Sequence, residues 1–173
     1  IFLVLVRVVK WKEIQEILEG GIKLMGFIAF VMLIASGYAT VIRATGAVDQ
    51  LVESAFNMLG GSKLAGSSIM ILLGLLITMG IGTSFGTVPV IAAIYVPLSI
   101  KLGFSPAAIV FMIAVAAALG DAGSPASDTT LGPTAGLNAD GQHDHIWDTC
   151  VPQFICYDIP LMIVGIICPL FMN

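Results

Sequence analysis

The sequence predicts an all-α integral membrane protein, and three observations predict it. The chain of 173 residues is 58% hydrophobic and only 10% charged, whereas soluble domains carry about 25% charged residues. Long uncharged runs recur, residues 64–100 among them. Two clusters of glycine, proline and hydroxyl residues interrupt those runs, near 80–89 and at 120–130. Backbone that leaves a helix at membrane depth is tolerated only inside protein or along a cavity. The net charge of −4 says little about partners, because six of the eleven acids fall between Asp121 and Asp158. No basic patch suggests nucleic acid. Cys150, Cys156 and Cys168 lack metal-ligand spacing and read as small apolar residues in a reducing or lipid environment.

The elements follow in order. Residues 1–9 are apolar but too few to cross a core of about 30 Å. They read as the end of a preceding helix, and the chain as the C-terminal part of a longer protein. Arg7, Lys10, Lys12 and Lys23, mixed with Glu13, Glu16 and Glu19, make 1–23 a cytoplasmic loop by the positive-inside rule. Residues 24–42 carry no charge and predict a transmembrane helix. Residues 43–61 alternate Val48, Leu51, Val52, Ala55, Phe56 and Leu59 with Asp49, Gln50, Glu53 and Asn57 at helical spacing. That is an amphipathic helix, laid along the interface or in an extramembrane loop, ended by Gly60-Gly61. Residues 64–101 would make roughly 55 Å of continuous helix at about 1.5 Å per residue, too long for one crossing. With arms a little short for spanning, they predict a re-entrant hairpin with a polar tip; two short spans are the competing reading. Residues 102–137 predict a broken transmembrane helix, 138–145 a polar turn, and 149–172 a last helix kinked at Pro152, Pro160 and Pro169.

The breaks carry the chemistry. In the first, Thr83, Ser84 and Thr87 offer hydroxyls, and Gly82 and Gly86 let backbone come close to a ligand. The second adds Asp121, Ser124, Ser127, Asp128, Thr129 and Thr130. The helix is expected to end at Leu119-Gly120, its last carbonyls facing the gap, and to restart with Ser124 as N-cap and Pro125 at the first position. Hard oxygen ligands suit Na+. Carboxylates at membrane depth are costly and functional by default. Ionised, such a group completes a cation's shell; with the ion gone it takes a proton instead. Asp128 is the first candidate for that exchange and Asp121 the second, with a Na+ site drawn at Asp128, Ser127, Thr83 and Ser84. The alternative is that either carboxylate only caps a helix end or neutralises Lys101 or Arg43. Asp158 reads equally as a proton-relay acid or as a group paired locally. His143 and His145 read as a hydrogen-bonded turn before a metal pair.

The runs Gly82-Thr83-Ser84-Phe85-Gly86-Thr87, Gly120-Asp121-Ala122-Gly123-Ser124-Pro125-Ala126-Ser127-Asp128-Thr129-Thr130-Leu131-Gly132-Pro133-Thr134 and Asp144-His145-Ile146-Trp147-Asp148 resemble the NhaC-like Na+/H+ antiporter family of the ion-transporter superfamily. The resemblance implies the C-terminal repeat of an inverted-repeat secondary transporter. Each repeat would contribute a re-entrant hairpin and a broken helix to a central site, with a horizontal helix ahead of the hairpin. It implies Na+ and H+ as transported ions, no cofactor, no enzymatic activity, and a multi-pass place in a bacterial plasma membrane. Expected partners are the lipid bilayer and the N-terminal repeat of the same chain, with a homodimer left open. A Na+- or H+-coupled permease for amino acids or other organic solutes is the alternative function, and a scaffold without transport a third class.

Overall fold

The computed structural model describes residues 10–172, and the reading of residues 1–9 lies outside them. A turn at Trp11–Glu13, tied by the Lys10 N–H donating to Glu13 Oε2 at 3.0 Å, opens helix α1, Ile14–Ala44. One helix therefore replaces the loop before residue 24 and the separate span 24–42. Gln15, Glu16, Glu19 and Lys23 are good helix formers, and Gln15 Nε2 donates to Glu19 Oε1 at 3.0 Å one turn on. Gly20 and Gly21 weaken such a helix without breaking it.

Gly46, at φ +72°, separates α1 from α2, Ala47–Met58. Val48 and Val52 are buried, while Asp49, Gln50 and Glu53 are exposed, as amphipathic spacing predicts. Gly60 and Gly61 follow with positive φ. Glu53 pairs with Lys101, whose Nζ also lies 5.0 Å from the Phe56 ring centroid. Lys101 is thus held by the amphipathic helix, not by a carboxylate of the second break.

Helices α3, Lys63–Ile81, and α4, Ser84–Lys101, form a hairpin. Tyr95 Oη donates to the Met70 carbonyl at 2.6 Å and Ser99 Oγ to Met70 Sδ at 3.5 Å. These residues stand at similar distances from the turn, so the helices run antiparallel. Only Gly82, left-handed at φ +74°, and extended Thr83 lie outside them. The polar tip is therefore tighter than expected, and 84–87 form the first turn of α4. Both arms are also longer than expected. At 19 and 18 residues they are among four helices of the described residues long and apolar enough to cross a membrane.

Helix α5, Pro106–Gly123, starts at an N-cap, Ser105, whose Oγ accepts from the Ala108 N–H at 3.2 Å. It makes its most extensive contact with α3, through small residues. A Cβ on Gly74 would stand 2.4 Å from Ala116 Cβ, and one on Gly120 would stand 2.3 Å from the Met79 nitrogen. Thr78 Oγ1 donates to the Ala116 carbonyl at 3.0 Å across this contact. Gly120 is a packing glycine inside the helix, so α5 does not end at Leu119-Gly120 but runs to Gly123. The restart is shifted too. The N-cap is Ser127, not Ser124, and α6 spans Asp128–Leu137.

After the turn at 138–144, the last helix, α7, covers His145–Leu170, four residues earlier than its expected start at 149. It widens into π turns at His145–Cys150 and Phe154–Asp158 and tightens into a 3-10 turn at Cys168–Leu170. Each π turn lies just ahead of a proline, Pro152 or Pro160. Proline lacks the N–H and crowds the carbonyl four residues back, and π widening accommodates such a defect. The expected kinks take this form.

Candidate functional site

The two breaks meet. Gly82 lies so close to the second break that a Cβ there would be 3.0 Å from the Ala126 carbonyl oxygen. Ser124 Oγ donates to the Met79 carbonyl at 3.1 Å, fastening the end of α5 to the end of α3. Asp121, half-buried on the last turn of α5, reaches the first turn of α4 and the N-cap of α6. Ser84 Oγ donates to its Oδ2 at 2.9 Å, and Ser127 Oγ to its Oδ1 at 2.5 Å. Thr129 Oγ1 donates to the Asp121 carbonyl and lies 2.8 Å from Ser127 Oγ.

The remaining candidates divide by what their hydroxyls already hold. Thr87 is buried and donates to the Thr83 carbonyl at 2.9 Å. Thr130 is buried and donates to the carbonyls of Ser124 and Ser127. Thr87, Thr130 and Ser124 therefore fix the backbone of the breaks, while Ser84, Ser127 and Thr129 converge on Asp121. Thr83 is the half-buried N-cap of α4 and makes no side-chain cap bond there. Gly82 supplies the close approach, and half-buried Gly86 faces Ile81 rather than the second break. Asp128, the first residue of α6, is exposed and shares none of these hydrogen bonds. The structure thus groups Asp121 with the hydroxyls drawn around Asp128.

Beside this cluster lies a groove of about 530 Å³, lined by Ser84, Asp121, Thr129, Gln153, Tyr157 and a row of small residues of α5. Gln153 and Tyr157 escaped the sequence reading. Their only signal was polarity within the last apolar run, where proline and Asp158 drew more notice.

Asp158 is fully buried, and among the described residues neither carboxyl oxygen has a hydrogen-bond partner. Local pairing, one of its two expected readings, is thereby corrected. The α5–α7 contact is built around this carboxyl: a Cβ on Gly123 would lie 2.2 Å from Asp158 Oδ2. The histidines tie the turn down, as expected. His145 Nδ1 lies 2.7 Å from Thr134 Oγ1, and its Nε2 2.8 Å from the Pro125 carbonyl oxygen. His143 Nε2 lies 2.7 Å from Thr149 Oγ1.

Comparison with known proteins agrees with this architecture. Residues 1–166 match the model of the Na+/H+ antiporter family. The chain is 58% identical over 158 residues to a Bacillus subtilis protein named "Putative amino acid transporter YuiF", covering 91% of this chain and 36% of that protein. It is 55% identical over 172 residues to an uncharacterized membrane protein of Haemophilus influenzae, covering 99% of this chain and 38% of the other. It is 25% identical over 159 residues to the Na(+)/H(+) antiporter NhaC of Alkalihalophilus pseudofirmus, covering 91% of this chain and 34% of the other. The chain therefore spans a little over a third of the length of the curated relatives it matches. No solved structure matches it. The family match covers nearly the whole chain, and the chain belongs to the Na+/H+ antiporter family.

Proposed function

We propose that the protein exchanges Na+ for H+ across a bacterial plasma membrane, and that Asp121 is where the two cations compete. The observation that carries this reading is one carboxylate bridged by Ser84 of the first break and Ser127 of the second. A serine or threonine hydroxyl is a donor and also carries two lone pairs. Ser84 and Ser127 donate to Asp121. When Na+ enters, the same hydroxyls turn their lone pairs to the ion beside the ionised carboxylate, a hard-oxygen shell suited to Na+. When a proton takes the ion's place, Asp121 becomes the donor and a hydroxyl accepts. Each state satisfies the same polar atoms, so the cations exchange without leaving a polar group bare. Asp158, sealed between α5 and α7, is a second proton-carrying group in this scheme.

The test is Na+-driven proton movement by the full-length protein in everted vesicles. Asp121→Asn is expected to abolish it, and Asp128→Asn to leave most of it. An active Asp121→Asn protein contradicts the assignment.

A second reading, Na+- or H+-coupled amino-acid transport, is favoured by the name of the Bacillus subtilis relative and by the groove. At about 530 Å³, the groove falls within the roughly 300–1,000 Å³ of small-molecule sites, more room than a bare cation needs. Uptake of labelled amino acids by the same vesicles decides between the readings.

A further inference from the structure

The last helix is tied to the rest of the fold at its two ends. At one end His145 Nε2 lies 2.8 Å from the Pro125 carbonyl oxygen and Thr149 Oγ1 lies 3.0 Å from Thr134 Oγ1. At the other, Ser67 Oγ donates to the Ile166 carbonyl at 3.0 Å and Ser105 Oγ to the Met172 carbonyl at 3.1 Å. Between these ties, among the described residues, 151–165 make no hydrogen bond to another helix. The same stretch holds Pro152, Pro160 and the π turn Phe154–Asp158, which interrupt the helix's own regular ladder. It rests on α5 by packing alone, and Asp158 stands at the contact. A Cβ on Gly123 would lie 2.2 Å from Asp158 Oδ2 and 3.1 Å from Phe154 Cδ2. We propose that Asp158 is a proton-operated latch: protonated, it seats the middle of α7 on Gly123 of α5; ionised, it releases that segment and widens the groove beside Asp121. The latch deepens the Na+/H+ exchange reading, on which its role in transport rests.

Burial decides which form of the carboxyl fits. Asp158 has no exposed surface, and among the described residues neither oxygen has a hydrogen-bond partner. Sealed by the helices around it, it can be met by no group from elsewhere in the protein unless α7 first moves. A carboxylate without donors or counter-charge costs far more to bury than a carboxylic acid. Gly123 is also the last residue of α5, and the carbonyls of a helix C-terminus carry partial negative charge that repels another. No lysine, arginine or histidine stands in α5 or in residues 151–172. The titratable groups of the surrounding elements are held elsewhere. Asp121, the one in α5, accepts from Ser84 and Ser127, and Asp128 of α6 is exposed. On α7, Cys156, Tyr157 and Cys168 are exposed, and Cys150 stands in the first π turn with Sγ 3.6 Å from His145 Nε2. Lys63, the only charge of α3, lies over the Phe104 ring. The packed contact therefore holds the acid and excludes the anion.

Low pH keeps the carboxyl protonated and the segment seated. As pH rises, the acid's O–H bond breaks, the proton passes to water, and the carboxylate left behind takes water as its donor. That hydration requires the middle of α7 to part from α5. Helix α5 itself stays in place, because Thr78 Oγ1 donates to its Ala116 carbonyl and Ser124 fastens its end to the Met79 carbonyl. Gln153 and Tyr157 lie on the released segment and line the groove with Asp121, so their movement away from α5 widens it. The latch thus governs how readily Asp121 trades its ion with water. The choice of ion stays with Asp121 and its hydroxyls.

The experiment uses full-length protein in proteoliposomes, its native cysteines replaced. Spin labels are attached through Val90→Cys on α4 and Ile155→Cys on α7, exposed positions on the two helices that flank the groove. The distance between the labels is expected to lengthen by about 3 Å, one layer of water, as pH rises, and to return on acidification. Asp158→Asn has the same shape and no charge at any pH. It is expected to keep the short distance throughout, to leave equilibrium Na+ affinity unchanged, and to abolish Na+-driven H+ movement. Asp158→Leu is expected to do the same. A parent distance that ignores pH overturns the latch, as does lengthening that persists in Asp158→Asn. Loss of Na+ affinity in both variants also overturns it, because Asp158 then belongs to the cation site. Labels that separate with pH in a protein that moves no H+ in response to Na+ uphold the latch and overturn instead the exchange reading.

Discussion

Gly120→Ala tests the geometry that brings the breaks together. A Cβ at this position would stand 2.3 Å from the Met79 nitrogen and 2.6 Å from both the carbonyl carbon and Cβ of Thr78. Ordinary carbon contacts lie at roughly 3.5–4.0 Å, so α3 and α5 must part by about 1 Å or more. Alanine gains up to about 1 kcal/mol of helix propensity over glycine, while overpacking costs roughly 1–3 kcal/mol. The obstacle is largely backbone, which cannot turn aside as a side chain can, so the cost falls at the upper end. The net expectation is a loss of about 1–2 kcal/mol. The separation also acts on the neighbouring residue. The Ser84–Asp121 bond of 2.9 Å stretches beyond hydrogen-bonding reach, and Na+ binding weakens with stability. Gly132→Ala in α6 is the control: nothing lies within 4 Å of a Cβ there, so only the propensity gain of up to about 1 kcal/mol remains. Thermal unfolding and equilibrium Na+ binding of the purified full-length variants are the assays. A Gly120→Ala protein as stable as its parent, with Na+ binding intact, refutes the reasoning.

Tyr95→Phe removes a buried hydrogen bond of 2.6 Å to the Met70 carbonyl but leaves that carbonyl in the ladder of α3. A loss of about 1 kcal/mol is expected, read as a lowered unfolding midpoint; no loss would show that this bond does not hold the hairpin. Asp158→Leu replaces a buried, unpartnered carboxyl with an apolar side chain of similar size. Burying a carboxyl without a hydrogen-bond partner costs free energy that an apolar side chain does not. The variant should therefore keep or raise its unfolding midpoint while losing Na+-driven H+ movement; unimpaired exchange would remove Asp158 from the proton pathway.

Much of this was legible in the sequence because membrane helices announce themselves by apolar runs and their breaks by glycine, proline and hydroxyl residues. The amphipathic α2, the hairpin and the broken helix were readable on that basis. The ends of the elements were less so. Gly120 looked like a helix terminator, yet its role comes from a neighbouring helix that no local pattern reveals. Ser124-Pro125 carried a better N-cap signature than Ser127-Asp128, but Ser124 is committed to the Met79 carbonyl and the restart falls three residues later. The ranking of Asp128 over Asp121 was undecidable locally, since both sit among hydroxyls. Only the packing of α5 on the hairpin puts Ser84 against Asp121. The hydrogen bond between Thr134 and Thr149 was unreadable for the same reason, as it joins α6 to α7 across a turn.

Equilibrium Na+ binding to the purified full-length protein, followed across pH, tests the central claim most directly. Competition at a single carboxylate predicts that Na+ affinity falls with falling pH, approaching about tenfold per unit once the proton dominates. Asp121→Asn should abolish that binding, and Asp128→Asn should preserve both the affinity and its pH dependence. Na+ binding that survives Asp121→Asn, or an affinity that does not change with pH, contradicts the account.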